Sequence, residues 1–322
     1  MKANSKAKLV TLSLTLALSM TFILSGCGAS SNSNASPKPN DSTSATTSDS
    51  STAPSPSAKI KIVAAENFLG EVATAVGGDR VNVTSIINNP DTDPHSFEPT
   101  ADTSKAVSDA QLVVYTGIGY DEWIQKLIQA SSSSKTLIAV GSDLLEKKDG
   151  DNPHVWYDPT SMPKLADALA DKLAKLDPGQ AEAFKKRALD YKASLAPLQD
   201  LVQKLKQSSP TDIAVSEPVF AYMAEALNLK VVNPSFAKAV EEETDPAAAD
   251  IADLQNQIKG KKIKAFVQNT QVDNPTVKNM VDLVTANQIP VVHVTETEPQ
   301  GKNYLQWMSE ELNELKKGLD VK

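Results

Sequence analysis

Between Asp177 and Pro210 the apolar residues Phe184, Ala188, Tyr191, Leu195, Leu198, Val202 and Leu205 recur at intervals of four and three. That spacing is one continuous face of an α-helix. Asp177-Pro178 supplies a start signal, a cap residue followed by proline in the first turn. About 29 helical residues would run roughly 43 Å, long enough to span a domain. Pro197 lies inside the segment and should kink or divide it.

On both sides of this helix the pattern is different. Short β-branched runs at 61–65, 81–87, 112–115 and 136–140 alternate with helical segments at 68–76, 104–110, 121–130 and 162–176. After Pro210 the alternation resumes, with strands at 213–216, 231–233, 265–268 and 291–294. Helices are expected at 220–227, 276–287 and 304–319, and one capped by Asp245-Pro246 runs to about Lys259. Strands alternating with helices predict parallel sheets covered by helices. The fold class is therefore α/β: two lobes, each with a parallel sheet flanked by helices, joined by one long linking helix. The boundaries read 59–177 for the first lobe, 178–208 for the linking helix and 209–322 for the second lobe.

The first 58 residues are not part of that fold. Lys2, Lys6 and Lys8 precede an apolar run over 9–24, then Ser25-Gly26-Cys27. A positive start, an apolar stretch and small residues are the layout of an export signal. The run is short for a membrane span of roughly 20 residues. Residues 28–57 hold Ser, Thr, Asn, Asp, Lys, Gly and Pro, with alanine the sole apolar side chain. Such a segment cannot build a core and reads as a flexible tether, spanning roughly 30 Å on average. The division is 1–26 signal and 27–58 cysteine plus tether.

Charge and cysteine content narrow the function. Net charge is −8, and removal of residues 1–26 with their three lysines takes it to −11. That excludes a nucleic-acid partner, which needs a basic face. A single cysteine excludes an internal disulfide and any site of several thiolates.

Histidine is scarce, with only His95, His154 and His293. Two share a context: Asp93-Pro94-His95-Ser96-Phe97-Glu98-Pro99, and Asn152-Pro153-His154-Val155-Trp156-Tyr157-Asp158-Pro159. A rigid loop carrying one imidazole preorganises a metal ligand. Topology points the same way. His95, His154, Glu217 and Glu296 all follow predicted strands, on the side where open α/β sheets bind ligands. Two imidazoles and two carboxylates suit Mn²⁺ or Zn²⁺, and two-oxygen chelation would favour Mn²⁺. Glu298 is an alternative to Glu296. His293 lies inside a strand and reads as a packed or surface residue. Gly117-Ile118-Gly119 lacks a third glycine at the dinucleotide spacing and reads as a tight turn. Glu241-Glu242-Glu243 reads as a solvated loop, and Trp123, Trp156 and Trp307 as packing residues. There is no HExxH or GxSxG pattern.

These residues resemble a family. Leu24-Ser25-Gly26-Cys27 resembles the lipobox of bacterial lipoproteins, which implies cleavage before Cys27 and lipid on its sulfur. Asp93-Pro94-His95 with Glu98-Pro99-Thr100, Asn152-Pro153-His154-Val155-Trp156, and Ser216-Glu217 with Phe220 and Tyr222 resemble the ligand loops of a second group. These are the metal-binding lipoproteins of bacterial ABC importers for manganese and zinc (the cluster A-I, or cluster 9, solute-binding proteins). The resemblance covers about four fifths of the chain. It implies a monomeric, non-enzymatic binding protein on the outer face of the cytoplasmic membrane, held there by Cys27. It would hand Mn²⁺ or Zn²⁺, bound by His95, His154, Glu217 and Glu296, to an ABC permease and its ATPase subunit. Two departures stand out: Pro218 where the family often has glycine, and a glutamate-rich segment, Glu296-Thr297-Glu298, where it usually has aspartate. Competing readings are a metal-dependent hydrolase, with Asp158 or Glu98 as base, and a surface adhesin.

Overall fold

The computed structural model describes residues 58–90, 92 and 97–319. The expected export signal at 1–26, Cys27, the expected tether up to residue 57 and His95 lie outside the described residues.

The first lobe holds β1 (Ile60–Glu66), α1 (Asn67–Gly77), β2 (Val81–Ile87), α2 (Ala101–Asp109), β3 (Leu112–Tyr115), α3 (Glu122–Ala130), β4 (Thr136–Ala139) and α4 (Ser161–Leu176). Its sheet runs β2-β1-β3-β4, all parallel. Six of the seven residues of β1 are buried, as a strand covered by helices on both faces requires. Gly70 lets α1 lie close on β2, because a Cβ there would stand 2.0 Å from Ser85 Oγ.

The linking segment is divided. A short turn at Pro178–Gln180 leads into α5 (Ala181–Ser194), and α6 (Ala196–Leu205) follows after Leu195. Pro197 sits in the first turn of α6. It has no N–H to continue the ladder of α5, so the break falls just before it. All seven residues of the 4-3 face are buried. The halves have different neighbours: α5 packs on α1 and α4, and α6 on the last helix of the chain. Arg187 of α5 donates to the carbonyls of Val76 (2.8 Å) and Gly77 (3.1 Å) and so caps the end of α1.

The second lobe comprises β5 (Thr211–Val215), α7 (Ala221–Ala226), β6 (Leu229–Val231), α8 (Pro234–Glu241), α9 (Ala248–Lys259), β7 (Phe266–Asn269), α10 (Pro275–Ala286), β8 (Val291–Val294) and α11 (Tyr304–Gly318). Its sheet runs β6-β5-β7-β8, again parallel. Beyond shifts in element bounds, such as β6 ending at Val231 rather than starting there, two details differ from the sequence reading. Helix α8 was not anticipated, although Pro234 after Asn233 marks its first turn. Helix α9 begins at Ala248, so Asp245-Pro246 lies in the connecting loop rather than capping it.

An aromatic seam runs between the lobes. Phe68 of α1 packs 4.9 Å from Trp156 and 5.9 Å from Trp307 of α11, centroid to centroid. Tyr157 stacks edge-on against Phe220 and Trp307. Trp156 and Trp307 are 0% and 1% exposed, so both serve packing as expected, and they share one hydrophobic cluster with residues of both sheets. Tyr304 Oη donates to the Trp156 carbonyl at 2.6 Å, and Tyr157 Oη to that of Thr295 at 2.7 Å.

Candidate metal centre

The second lobe supplies its share of the site from three strand ends. Glu217 follows β5, Asn269 closes β7, and Glu296 lies two residues beyond β8. Strands β5 and β7 are neighbours on either side of the point where the strand order reverses, the crevice where parallel sheets bind ligands. Glu217 and Glu296 are buried, at 8% and 5% exposure. Asn269 Nδ2 donates to both, to Glu217 Oε2 at 2.7 Å and to Glu296 Oε1 at 2.8 Å. Gln271 continues the clamp. Its Oε1 accepts from the Glu296 amide, and its Nε2 donates to the carbonyl of Pro90 at 2.7 Å. Pro90 stands five residues before His95 in the chain. Further along the chain, Phe97 packs 4.7 Å from Trp123, and Thr100 caps α2 in a reciprocal pair with Thr103.

The first lobe supplies His154, which is 0% exposed. Its Nε2 lies 3.5 Å from Glu296 Oε2. The other ring nitrogen, Nδ1, is 2.7 Å from Asn152 Oδ1. The same oxygen accepts from the His154 backbone amide at 3.0 Å, which fixes the orientation of the carboxamide. An amide oxygen only accepts, so Nδ1 carries the proton and Nε2 is the nitrogen that can give a lone pair to a cation. Asn152 is itself anchored across the lobe boundary: Nδ2 donates to the Pro218 carbonyl, and its own carbonyl accepts from Tyr222 Oη, each at 2.7 Å. Pro218, the departure noted in the sequence, therefore presents a carbonyl to the partner of His154.

Tyr120 reaches the same point. The turn before it uses positive φ at Gly117 (75°), Ile118 (51°) and Gly119 (91°). Asp121 holds the turn by accepting from the Thr116 and Gly117 amides at 2.6 and 2.8 Å. Tyr120 Oη then donates to Glu296 Oε2 at 3.3 Å. Burial, with the Glu296 charge adding, pushes the phenol well above its ordinary value, so it stays a donor. Behind it lies a second acidic group. Burial lifts Asp121 to about 7, against the pull of its two amide donors. Burial and the Asp121 charge lift Glu66, at the end of β1, well above the usual carboxylate range.

A cavity of about 320 Å³ is lined by Glu217, Glu241, Glu243, Asn269, Gln271 and Glu296, among others. Glu241 was expected in a solvated loop. Instead its side chain is 8% exposed, pairs with Lys238 at 2.8 Å and lies 3.8 Å from His154 Nδ1. The signal was present: Ala237 precedes it by four residues and is buried on the same face of α8. Glu242, by contrast, is exposed.

The structure thus brings together His154, Glu217 and Glu296, and adds Asn152, Asn269, Gln271 and Tyr120, which sequence reasoning passed over. Among the described residues, no three His, Cys, Asp or Glu side chains converge closely enough to hold a metal ion; His95 lies outside them. Glu298, the alternative to Glu296, turns the other way. Its backbone pairs with the Asn67 side chain, and burial beside Glu71 lifts its carboxyl to about 8. His293 pairs with Glu314 at 3.1 Å on the surface. Asp158 accepts from the Thr160 amide at 2.8 Å, a local turn contact rather than the position of a base.

Residues 62–318 match the family described as zinc-uptake complex component A, periplasmic. The chain is 29% identical to the manganese-binding lipoprotein MntA of Halalkalibacterium halodurans over 206 residues, covering 62% of this chain and 68% of that one. It is also 29% identical to the zinc-binding lipoprotein AdcA of Streptococcus pneumoniae over 273 residues. That match covers 78% of this chain, which spans about half (54%) of the relative's length. Among solved structures, the periplasmic zinc binding protein TroA from Treponema pallidum superposes with a TM-score of 0.67 at 20% identity, covering 81% of this chain and 99% of that one. An Mn-bound mutant of a periplasmic metal binding protein from Candidatus Liberibacter asiaticus gives 0.69 at 17% identity, covering 81% and 100%. At these identities the structures establish the shared fold.

Proposed function

Because the chain belongs to the zinc-uptake complex component A family, we propose that it is the extracytoplasmic solute-binding protein of an ABC importer for Mn²⁺ or Zn²⁺. It captures the cation between the two lobes and hands it to a membrane permease driven by an ATPase subunit. Its work is capture and release, and it catalyses no reaction. The ligands are His95, His154, Glu217 and Glu296. Lipid on Cys27 holds the monomeric body at the outer face of the cytoplasmic membrane, with residues 28–58 as the tether.

The observation that carries this reading is the pairing of His154 with Glu296 across the lobe boundary. Nδ1 is committed to Asn152, and Nε2 faces a carboxylate oxygen at 3.5 Å. An imidazole and a carboxylate from opposite walls are what a divalent cation would bridge.

The test is metal uptake by the mature protein, read as stoichiometry and thermal shift. Metal at a hundredfold over Kd stabilises a folded protein by about 2.7 kcal/mol, or roughly 5–10 °C for a body of this size. His95→Ala and Glu217→Ala should each remove most of that shift. A variant that kept the full shift would sink this ligand set. Cys27→Ala should leave the protein in the soluble fraction of its cells.

A further inference from the structure

The last helix places one carboxyl group where both walls of the proposed site meet. Glu311 of α11 is buried, at 6% exposure. Its Oε1 accepts from Trp307 Nε1 at 2.7 Å and from the Thr295 amide at 3.2 Å. Both carboxyl oxygens face Tyr157 Oη, with Oε2 the nearer at 3.0 Å and Oε1 at 3.2 Å. Thr295 is the residue before Glu296. Tyr157 closes the short helical turn that begins after His154, and its amide donates to the His154 carbonyl at 3.1 Å. One buried carboxyl group therefore touches the chain segments of two proposed ligands, one from each lobe.

A count of hydrogens fixes its state. Tyr157 Oη has one hydrogen, and the Thr295 carbonyl at 2.7 Å is the nearest of these acceptors. With that hydrogen spent, the contact between Tyr157 Oη and Glu311 needs a hydrogen from the acid. Oε1 already receives two N–H groups, so the proton sits on Oε2. Glu311 Oε2–H then donates to Tyr157 Oη, and Tyr157 donates to the Thr295 carbonyl. The surroundings agree. Burial holds the carboxyl well above the usual carboxylate range, with the Glu314 charge adding, against the pull of Trp307 and the Thr295 amide. The hollow beside it holds Glu314 paired to His293 and Lys302 paired to Glu310, so both cations already have a carboxylate. Tyr304, the other titratable group nearby, spends its proton on the Trp156 carbonyl.

We propose that Glu311, by donating to Tyr157, is a positioning residue for metal capture that sets the 3.5 Å spacing between His154 Nε2 and Glu296 Oε2. The inference rests on the metal-capture reading above and adds to it a group that touches no metal. An ionised Glu311 would leave the phenol one hydrogen for two acceptors, and one of the two ties from Tyr157 to the second lobe would go. Glutamine at this position keeps the arrangement, because its nitrogen can donate to Tyr157 while its oxygen accepts from Trp307 and Thr295. Leucine keeps the bulk and removes every bond.

The test is Zn²⁺ affinity of the mature protein by competition with a chromophoric chelator. Glu311→Leu and Tyr157→Phe should each weaken binding about tenfold or more, the scale for partners of metal ligands. Glu311→Gln should stay within about threefold of wild type, since the donor remains. If Glu311→Leu does not fold, Tyr157→Phe, which loses only the hydroxyl, carries the comparison. The proton has its own readout. The folded wild-type chain keeps a proton on Glu311 that the unfolded chain releases above 4.5. Stability from that proton is lost as pH rises, so the Tm of Glu311→Gln should gain on the wild-type Tm above that value. Glu298 contributes equally to both proteins and cancels. Wild-type affinity in Tyr157→Phe overturns the proposal. So does a Glu311→Gln protein that binds Zn²⁺ tenfold or more weakly, or a Tm difference that does not change with pH. Each of these outcomes leaves metal capture standing. If the wild-type protein takes up neither Zn²⁺ nor Mn²⁺, the metal-capture reading itself falls, and the role of Glu311 with it.

Discussion

Replacing Asn152 by alanine separates the orientation of His154 from its presence. The substitution removes three hydrogen bonds: from the His154 amide (3.0 Å), from His154 Nδ1 (2.7 Å) and to the Pro218 carbonyl (2.7 Å). The imidazole is 0% exposed, so its N–H cannot turn to bulk solvent. A stranded buried polar group costs about 1–3 kcal/mol. Three such groups, relieved in part by water in the vacated space, give a loss of about 2–4 kcal/mol. For a body of this size that is roughly 5–15 °C in Tm. Metal affinity should fall as well, by about 10–100-fold, because the ring loses the partner that holds its tautomer and angle. The assay is a pair of measurements on the same protein: Tm of the metal-free form by circular dichroism, and Kd by competition with a chromophoric chelator. Tyr222→Phe is the control. It deletes only the bond to the Asn152 carbonyl and should leave affinity within about threefold, since the ring partner stays in place. If Asn152→Ala lowers Tm but binds metal with wild-type affinity, Asn152 does not govern the metal-facing nitrogen, and the argument fails.

Two further outcomes follow from charge. Metal affinity should fall steeply as pH drops from about 7.5 to 5, because both imidazoles must be unprotonated to coordinate; a flat affinity over that range would remove the two-histidine site. Burial, with the Glu71 charge adding, lifts Glu298 from 4.5 to about 8. The folded chain therefore keeps a proton that the unfolded chain releases, and stability is lost as pH rises from about 4.5 through about 8. Glu298→Gln carries no such proton. Its Tm should gain on the wild-type Tm across that window, and parallel profiles would refute the assignment.

What the sequence made legible is what short-range patterns encode. The 4-3 face from Phe184 to Leu205 gave the linking helix, and Pro197 gave its division. The β-branched runs gave both sheets, and proline-stiffened histidine loops drew attention to His154. The partners of the site were hidden for a physical reason. Asn269, Gln271 and Tyr120 act through contacts with residues far away in the chain, and no local pattern distinguishes a clamping asparagine from a turn asparagine. Glu241 was misjudged because three glutamates in a row look solvated. Helical geometry turns the first of them inward beside Val240 and leaves the second exposed. Glu296 and Glu298 look equivalent as sequence. Only the packing of Asn67 against the Glu298 backbone turns one away from the cleft.

The seam between the lobes bears on how a cation would enter. Trp156 and Trp307 are 0% and 1% exposed, and an aromatic side chain of this kind buries about 150–250 Å². Exposing half of both indoles would cost about 5 kcal/mol at 25 cal/mol per Å². That alone is comparable to the total stability of many domains, about 5–15 kcal/mol. Opening would also break the bonds from Tyr157 and Tyr304 to carbonyls across the seam. A wide hinge motion is therefore too costly to accompany each round of loading. Exchange is cheaper if it moves only the loops that carry the ligands, with the two sheets held in place. Small-angle scattering tests this directly. The radius of gyration of the mature protein should change by less than about 1 Å between metal-free and metal-loaded forms, the scale of pre-organised complexes. A contraction of several ångströms would mean that the seam opens and that the burial argument misjudges it.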